Sequence, residues 1–243
     1  MVAIPPRYVP AKTSVTLWFG DCLVEMNKIA AGLIQLILCD LPYGTTQNKW
    51  DAVIPFDRLW GQYRRVLTPH GAVALTASQP FTSALVMSNV KWFRYEWIWR
   101  KTKATGHLNA KRMPLKEHES ILVFGKGDTY HPQGVEVYGK ITRRGHNGGC
   151  YGAAGNENFQ EFTNYPRSVL DIPSEGKTVH PTQKPVALME YLIRTYTNRG
   201  DTVLDNCMGS GTTGVAAKRL GRHFIGIEND PKHFETARRR INE

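Results

Sequence analysis

Asp40-Leu41-Pro42-Tyr43 sets a carboxylate, a proline and a phenol ring side by side. Such a group can hold a planar base by its exocyclic amine. The carboxylate accepts one N–H, a backbone carbonyl in a proline-stiffened turn accepts the other, and the ring stacks on the base. The lone pair of that amine is delocalised into its own ring, so the amine is a poor nucleophile. Two acceptors on its N–H bonds would fix it and let it pyramidalise toward an electrophilic carbon. Asp40 supplies one acceptor. The Leu41 carbonyl is expected to supply the other, whatever side chain stands there. Alone, the tetrapeptide also suits an ordinary turn.

A second constellation lies far along the chain, from Val203-Leu204-Asp205-Asn206-Cys207-Met208 through Gly209-Ser210-Gly211-Thr212-Thr213, followed by Ile225-Gly226-Ile227-Glu228. The glycines follow an apolar run and open a helical pattern. Glycine there lets a ligand approach the backbone, and a helix start favours negative charge. No lysine follows Gly211, so a triphosphate-binding loop is excluded. Gly209, Gly211 and Gly214 keep a dinucleotide-type spacing, with Glu228 17 residues past Gly211, so spacing alone leaves an NAD site open. Asp205 argues against it. A carboxylate at the strand end suits the ammonium of a methionine moiety and repels a pyrophosphate. Glu228 suits two ribose hydroxyls in either case. The plain alternative is a glycine-rich turn that serves packing only.

The elements that must position these residues alternate along the chain. Strands are expected at Val15–Phe19, Ile34–Cys39, Ala72–Thr76, Thr202–Leu204 and Phe224–Ile227. Helices are expected at about Leu23–Ala30, Phe56–Leu67, Phe81–Ser88, Pro185–Tyr196, Thr212–Leu220 and Pro231–Ile241. Tyr95–Arg100 and Ser120–Phe124 read as an antiparallel strand pair. Such alternation gives an α/β fold with a doubly wound, mostly parallel sheet. Residues 126–165 break the rhythm. They are rich in Gly, Asn and Tyr and read as a long loop, which in a domain of this kind is functional or disordered.

The net charge is +10 and the isoelectric point about 9.5. That balance suggests a polyanion as partner, most simply nucleic acid. Residues 100–170 hold 11 lysines and arginines against 6 acids, so the insert and its approach hold about half the excess. Lys140, Arg143 and Arg144 stand among Tyr130, Tyr138 and Tyr151, as on a surface meeting phosphates and bases. Cys22, Cys39, Cys150 and Cys207 form no C-x-x-C, and no zinc pattern is present. Reduced, buried thiols in a cytoplasmic protein are expected. Residues 1–14 read as a flexible segment and not as a signal peptide, and no apolar run reaches membrane-spanning length. His107, His118 and His131 lack metal-ligand spacing. Lys116-Glu117-His118-Glu119 reads as a solvated turn, and Arg238-Arg239-Arg240 as a solvated helix face. Trp92, Trp97 and Trp99 are expected to pack the strand pair.

Taken in order, Gly20-Asp21-Cys22, Asp40 to Tyr43, the insert, His180-Pro181-Thr182-Gln183-Lys184-Pro185, Asp205 to Thr213 and Glu228 resemble the β class of DNA amino-methyltransferases. That family methylates adenine N6 or cytosine N4 using S-adenosylmethionine. The likeness spans roughly residues 15–240. It implies a Rossmann-like methyltransferase fold with a mostly parallel seven-stranded sheet, entered at the family's third strand, so that motif order is circularly permuted. The catalytic half would run over 15–125, an inserted target-recognition region over 126–165 and the cofactor half over 166–243. By the same likeness Asp40, Leu41, Pro42 and Tyr43 are catalytic, with Tyr43 stacking on a flipped base. Asp21 would contact the cofactor adenine, and Lys184 with its neighbours would close over the methionine end. Asp205, Gly209, Gly211 and Thr212 would cradle the methionine, and Glu228 would hold the ribose. Cys22, Asp40, Thr182, Asn206 and Ser210 complete that set, and Lys140, Arg143 and Arg144 would touch DNA. Leu41 departs from the family's usual first proline, and Asn206-Cys207 departs from its common Pro-Phe.

Three functions follow. The first is direct methyl transfer to adenine N6 of double-stranded DNA, since an aspartate at the first motif position generally accompanies adenine in this family. The second is an N4-cytosine enzyme of the same build. The third is a protein that binds nucleic acid without turnover. A homodimer and a cognate restriction endonuclease are the partners the resemblance admits. No thiol is needed as nucleophile, unlike in methylation of cytosine carbon 5.

Overall fold

The computed structural model describes residues 13–45, 51–143, 157–176 and 183–243. Arg144, Thr182 and nearly all of 1–14 lie outside the described residues, as does the Arg143 side chain. The chain divides into two units, Met1–His131 with Ser168–Glu243, and Pro132–Arg167.

The larger unit is built on one eight-stranded sheet in the order β1-β10-β9-β2-β3-β5-β4-β8. Its strands are β1 (Val15–Phe19), β2 (Ile34–Asp40), β3 (Leu67–Ala77), β4 (Phe93–Thr105), β5 (Lys116–Gly125), β8 (Val169–Asp171), β9 (Thr202–Asp205) and β10 (His223–Glu228). β1, β10, β9, β2 and β3 run parallel, and β5 runs antiparallel to both β3 and β4. The eighth strand, three residues long, pairs parallel with the edge of β4. It lies beyond the seven expected, and a tripeptide carries too little periodicity to be read from sequence.

Alternation builds two cores from one sheet, because successive strand side chains point to opposite faces. Ile37 and Cys39 of β2 join Val73, Leu75, Leu122 and Phe124 on one side. There they meet α2 (Phe56–Val66) and α3 (Phe81–Ser88), which bury Leu59, Trp60, Tyr63, Val66, Phe81 and Leu85. Leu36 and Leu38 join Ala74, Ile121 and Val203 on the other side. There the cover is α4 (Val186–Tyr196), α5 (Thr212–Arg219) and α6 (Pro231–Asn242). The first helical stretch is shorter than its sequence pattern: α1 (Cys22–Glu25) passes into a 3₁₀ turn at Met26–Lys28. Pro185 caps α4 from one residue outside it.

The smaller unit holds a two-stranded antiparallel hairpin, β6 (Glu136–Arg143) with β7 (Glu157–Thr163). The expectation of an irregular 126–165 is therefore corrected. Val137 faces Phe162 and Ile141 faces Phe159, apolar cross-strand pairs of the kind that stabilise hairpins. The glycine-rich residues 145–155 separate in sequence the two flanks that form these strands.

Two of the motif glycines are packing residues. A Cβ on Gly214 would stand 2.4 Å from Ile241 Cδ1 and 2.6 Å from Phe224 Cε1. A Cβ on Gly211 would stand 2.9 Å from Ala237 Cβ. Both positions let α5 lie directly against α6, and Gly214 also clears β10. Gly214→Ala is expected to destabilise the fold by ~1–3 kcal/mol through overpacking. Urea unfolding measures it, and an unchanged midpoint would show that α5 and α6 are not in this close contact.

Candidate active site at the carboxyl edge of the sheet

β2 and β9 are parallel neighbours. From β2 the chain moves outward through β3, and from β9 it moves the other way through β10. Ligands of open α/β sheets bind at such a reversal, beyond the carboxyl ends of the strands. Asp40 ends β2 and Asp205 ends β9. Glu228 ends β10, and Asp21 follows β1 at the same edge. Because β5 is antiparallel, its beginning reaches this edge too, bringing Glu119 beside Ser120, which faces Ala77 of β3.

Asp40 is already well bonded. Its Oδ1 accepts from Tyr43 Oη at 2.8 Å and from the Thr76 hydroxyl. Its Oδ2 accepts from Lys184 Nζ at 2.6 Å. A carboxylate offers about four acceptor positions, so about one remains. Burial opposes ionisation of Asp40, but Lys184, Thr76 and Tyr43 outweigh it and hold the carboxyl below its ordinary range. Lys184 also lies 3.2 Å from Glu119 Oε2, and Glu119 pairs in turn with Lys101. The Lys184 ammonium thus bridges two carboxylates. The resemblance placed Lys184 over the methionine end, whereas here its amine is on Asp40. The Leu41 side chain is buried in the core. Tyr43 stacks on Phe81 with ring centroids 5.2 Å apart. Past the tetrapeptide, Asp51 accepts from Gly44 N at 2.8 Å and Thr45 N at 2.9 Å. Gly44 takes a positive φ of 67°, a conformation that suits glycine.

At the end of β9 stands a buried carboxylate with no cation beside it among the described residues. Asp205 accepts from Cys207 N at 3.2 Å and is 3% exposed. Burial pushes its carboxyl up to about 7, against the hydrogen bonds from Thr213, Cys39 and Cys207. An ammonium is the group this carboxylate lacks. Gly209 completes the fit: it has φ 51°, and a Cβ there would enter open space. A methionine moiety with its amine on Asp205 and its chain over Gly209 fits both facts. Glu228 turns inward, accepting from Gly209 N at 2.8 Å with Oε2 and from Asn229 N and Asp230 N with Oε1. It braces the turn, and ribose hydroxyls would find only its remaining acceptor positions. Asp21 caps α1, accepting from Leu23 N at 2.8 Å. Asn206 faces the core, where its Oδ1 accepts from Tyr63 Oη at 2.6 Å.

Several contributors are not visible in the motifs. Arg240, expected on a solvated face, donates to the Ser210 carbonyl at 2.6 Å and the Ser210 hydroxyl at 2.9 Å, with Thr212 Oγ1 at 3.4 Å. Glu119, expected in a solvated turn, is a strand residue inside the ion-pair chain. Only the alternation of the β5 pattern could have turned Glu119 inward, and nothing local marks Thr76 or Arg240. Cys22, Cys39 and Cys207 pack in one core cluster. Hydrogen bonding to Cys207 and burial raise the Cys22 thiol, and burial pushes Cys39 up to about 12. These are protonated packing groups at neutral pH. Among the described residues no cluster has the makings of a metal site, and no helix is long and apolar enough to cross a membrane. Trp97 and Trp99 are buried in the β4–β5 region as expected. Lys140 lies on β6 of the smaller unit, its Nζ 5.3 Å from the Tyr138 ring centroid.

Comparison with known proteins gives the family and the fold that this chain resembles. Residues 34–239 match the family model described as DNA methylase, N6_N4_Mtase. Type II methyltransferase M.HpaI of Haemophilus parainfluenzae is 29% identical over 92% of this chain and 73% of its own length. Type II methyltransferase M.HinfI of Haemophilus influenzae is 26% identical over 94% of this chain and 68% of its own. The M1.HpyAVI–SAM complex superposes with a TM-score of 0.64 at 26% identity, covering 93% of this chain and 99% of that one. The cytosine-N4-specific PvuII DNA methyltransferase shares the fold, with a TM-score of 0.69 at 17% identity over 96% of this chain and 88% of that one.

An ammonium ligand requires Asp205 ionised, so its binding should weaken as pH falls through about 7. S-adenosylmethionine affinity is therefore expected to rise severalfold between pH 5.5 and 7, below the usual α-amino pKa of about 7.7–8.0. Asp205→Asn should bind weakly with a flat profile over the same window. Calorimetry decides it: a flat wild-type profile would remove Asp205 from the cofactor contacts.

Proposed function

We propose that this chain, which belongs to the N6/N4 DNA methylase family, transfers a methyl group from S-adenosylmethionine to the N6 amine of an adenine turned out of duplex DNA. The family's dependence on S-adenosylmethionine supplies the electrophile, a methyl carbon on a sulfonium. Everything else is the work of this chain's own groups.

The observation that carries the reading is the state of Asp40. It is an ionised carboxylate with about one acceptor position open, held at the strand end by three donors. Its low pKa makes it a poor general base. Its role is to accept an N–H and fix the amine, with the Leu41 carbonyl as the second acceptor. Methylation leaves the nitrogen cationic and its N–H acidic, so the proton departs to water without a strong base. The rate then rests on positioning and electrostatics and needs no covalent intermediate. Tyr43 is backed by Phe81 and donates to Asp40, which supports it as a stacking wall for the base. Adenine is favoured over cytosine by the aspartate at position 40, following the family's habit. The Type II names of the relatives support a place beside a restriction endonuclease.

Asp40→Ala is expected to lower methyl transfer by at least ~10²–10³-fold, the scale of losing one preorganised polar group. The variant should still fold, which circular dichroism checks. Transfer of tritiated methyl to plasmid DNA measures the loss, and a folded variant keeping most of its activity would refute the role of Asp40. Digestion of the methylated DNA to nucleosides, followed by mass spectrometry, should give N6-methyladenine. N4-methylcytosine would overturn the base and leave the mechanism, and no product at all would favour a binding protein.

A further inference from the structure

The charge excess of this chain is not where the target-recognition reading puts it. Pro132–Arg167 holds four lysines and arginines against three acids. Residues 97–116 hold six lysines and arginines and not one aspartate or glutamate; Arg100 and Lys101 pair with Asp171 and Glu119 outside the stretch. That stretch is the end of β4, the start of β5 and the turn that joins them.

The turn has an unusual build. From Thr105 to His118 no residue is buried, so no core holds it. Gly106, at φ 92°, opens a 3₁₀ turn at His107–Asn109. Backbone bonds then close it, Asn109 N to Gly106 O at 2.9 Å and Arg112 N to Asn109 O at 2.8 Å. Thr105 Oγ1 donates to the Lys116 carbonyl at 3.2 Å. This ordered turn presents Leu108 fully to solvent, with Met113 more than half exposed. Lys103, Lys111 and Arg112 stand near them in sequence, and none has a carboxylate within ion-pair distance among the described residues. An ordered turn with an outward leucine and uncompensated bases contradicts what a free surface favours.

Its place in the fold says what it meets. Ser120 of β5 faces Ala77 of β3, one residue past Thr76, which pairs with Asp40. Lys116 lies four residues beyond Ser120 toward the turn and donates to the Ser78 hydroxyl. At roughly 3.3 Å per strand residue, the turn begins ~13 Å beyond the Asp40 edge. A duplex whose base reaches Asp40 would have its backbone and stacked bases at that height.

We propose that the β4–β5 turn is a duplex-DNA contact of this enzyme, in which Lys111 and Arg112 meet phosphates and Leu108 enters the stack where the target base has left it. Bases flank an apolar tip in the way a wedge on DNA requires: charge holds the backbone while the side chain replaces lost stacking. The inference rests on the proposed DNA methylation for its partner and adds where the duplex is gripped.

Lys111→Ala/Arg112→Ala should weaken binding to a random-sequence 30-base-pair duplex about tenfold. It should also reduce the slope of log affinity against log salt by about 2, near 0.9 per phosphate contact. Leu108→Ala should keep that salt slope. It should lower methylation of duplex plasmid at least tenfold and of heat-denatured plasmid by less than about twofold, because a single strand leaves no gap to fill. S-adenosylmethionine binding by calorimetry should match wild type in both variants, which verifies the fold. An unchanged salt slope in the double variant, or equal losses on duplex and denatured DNA for Leu108→Ala, overturns the proposal. So does a Leu108→Ala variant whose only change is a shift from dimer to monomer in sedimentation. Wild-type chain that binds duplex but transfers no methyl would sink the enzyme reading and leave the salt-slope arm to decide this one.

Discussion

Parallel pairing of β2 with β9 brings two carboxylates, Asp40 and Asp205, to one edge of one sheet. Asp40 raises the cost of ionising Asp205, and burial opposes ionisation of both. The edge resolves the conflict unequally. Lys184, Thr76 and Tyr43 converge on Asp40 and keep it charged. Asp205 receives hydrogen bonds but, among the described residues, no cation. One acid is thus satisfied by the chain, and the other is left for a positively charged ligand. Two chemically identical side chains acquire different tasks from their surroundings alone.

The turn after β9 is shaped from behind more than from the front. Gly211 and Gly214 bring α5 against α6, and that contact lets Arg240 of α6 reach the Ser210 carbonyl. Glu228 ties Gly209 N to the end of β10, and Tyr63 reaches from α2 to Asn206. Four elements therefore set one six-residue turn, and only Gly209 leaves room where a ligand would approach. Rigidity there matters, since a misplacement of about 1 Å in a bound methyl donor carries a steep penalty in rate.

The fold class was legible because its signals are local: apolar runs, glycine stops and alternating periods along the chain. The two motifs were legible for the same reason, each lying within a dozen residues. Thr76, Glu119 and Arg240 were not, because each acts on a partner far away in sequence and has no distinguishing neighbour. Glu119 looks like part of a charged tetrapeptide until β5 turns it toward Lys184. The β6–β7 hairpin was masked by the glycines between its strands. Net charge was legible as a total, but its concentration over residues 97–116 gains meaning only once those residues are seen to form the end of β4, its turn and the start of β5.

β1 and β2 are consecutive in sequence, yet β10 and β9 lie between them in the sheet. During synthesis both early strands emerge long before residues 202–228 exist to fill the gap. Until then each shows the nascent chain an unpaired edge. Such edges are templates for wrong partners, and contacts between sequence-distant strands form slowly. This strand order thus makes the last quarter of the chain the piece that locks the sheet shut.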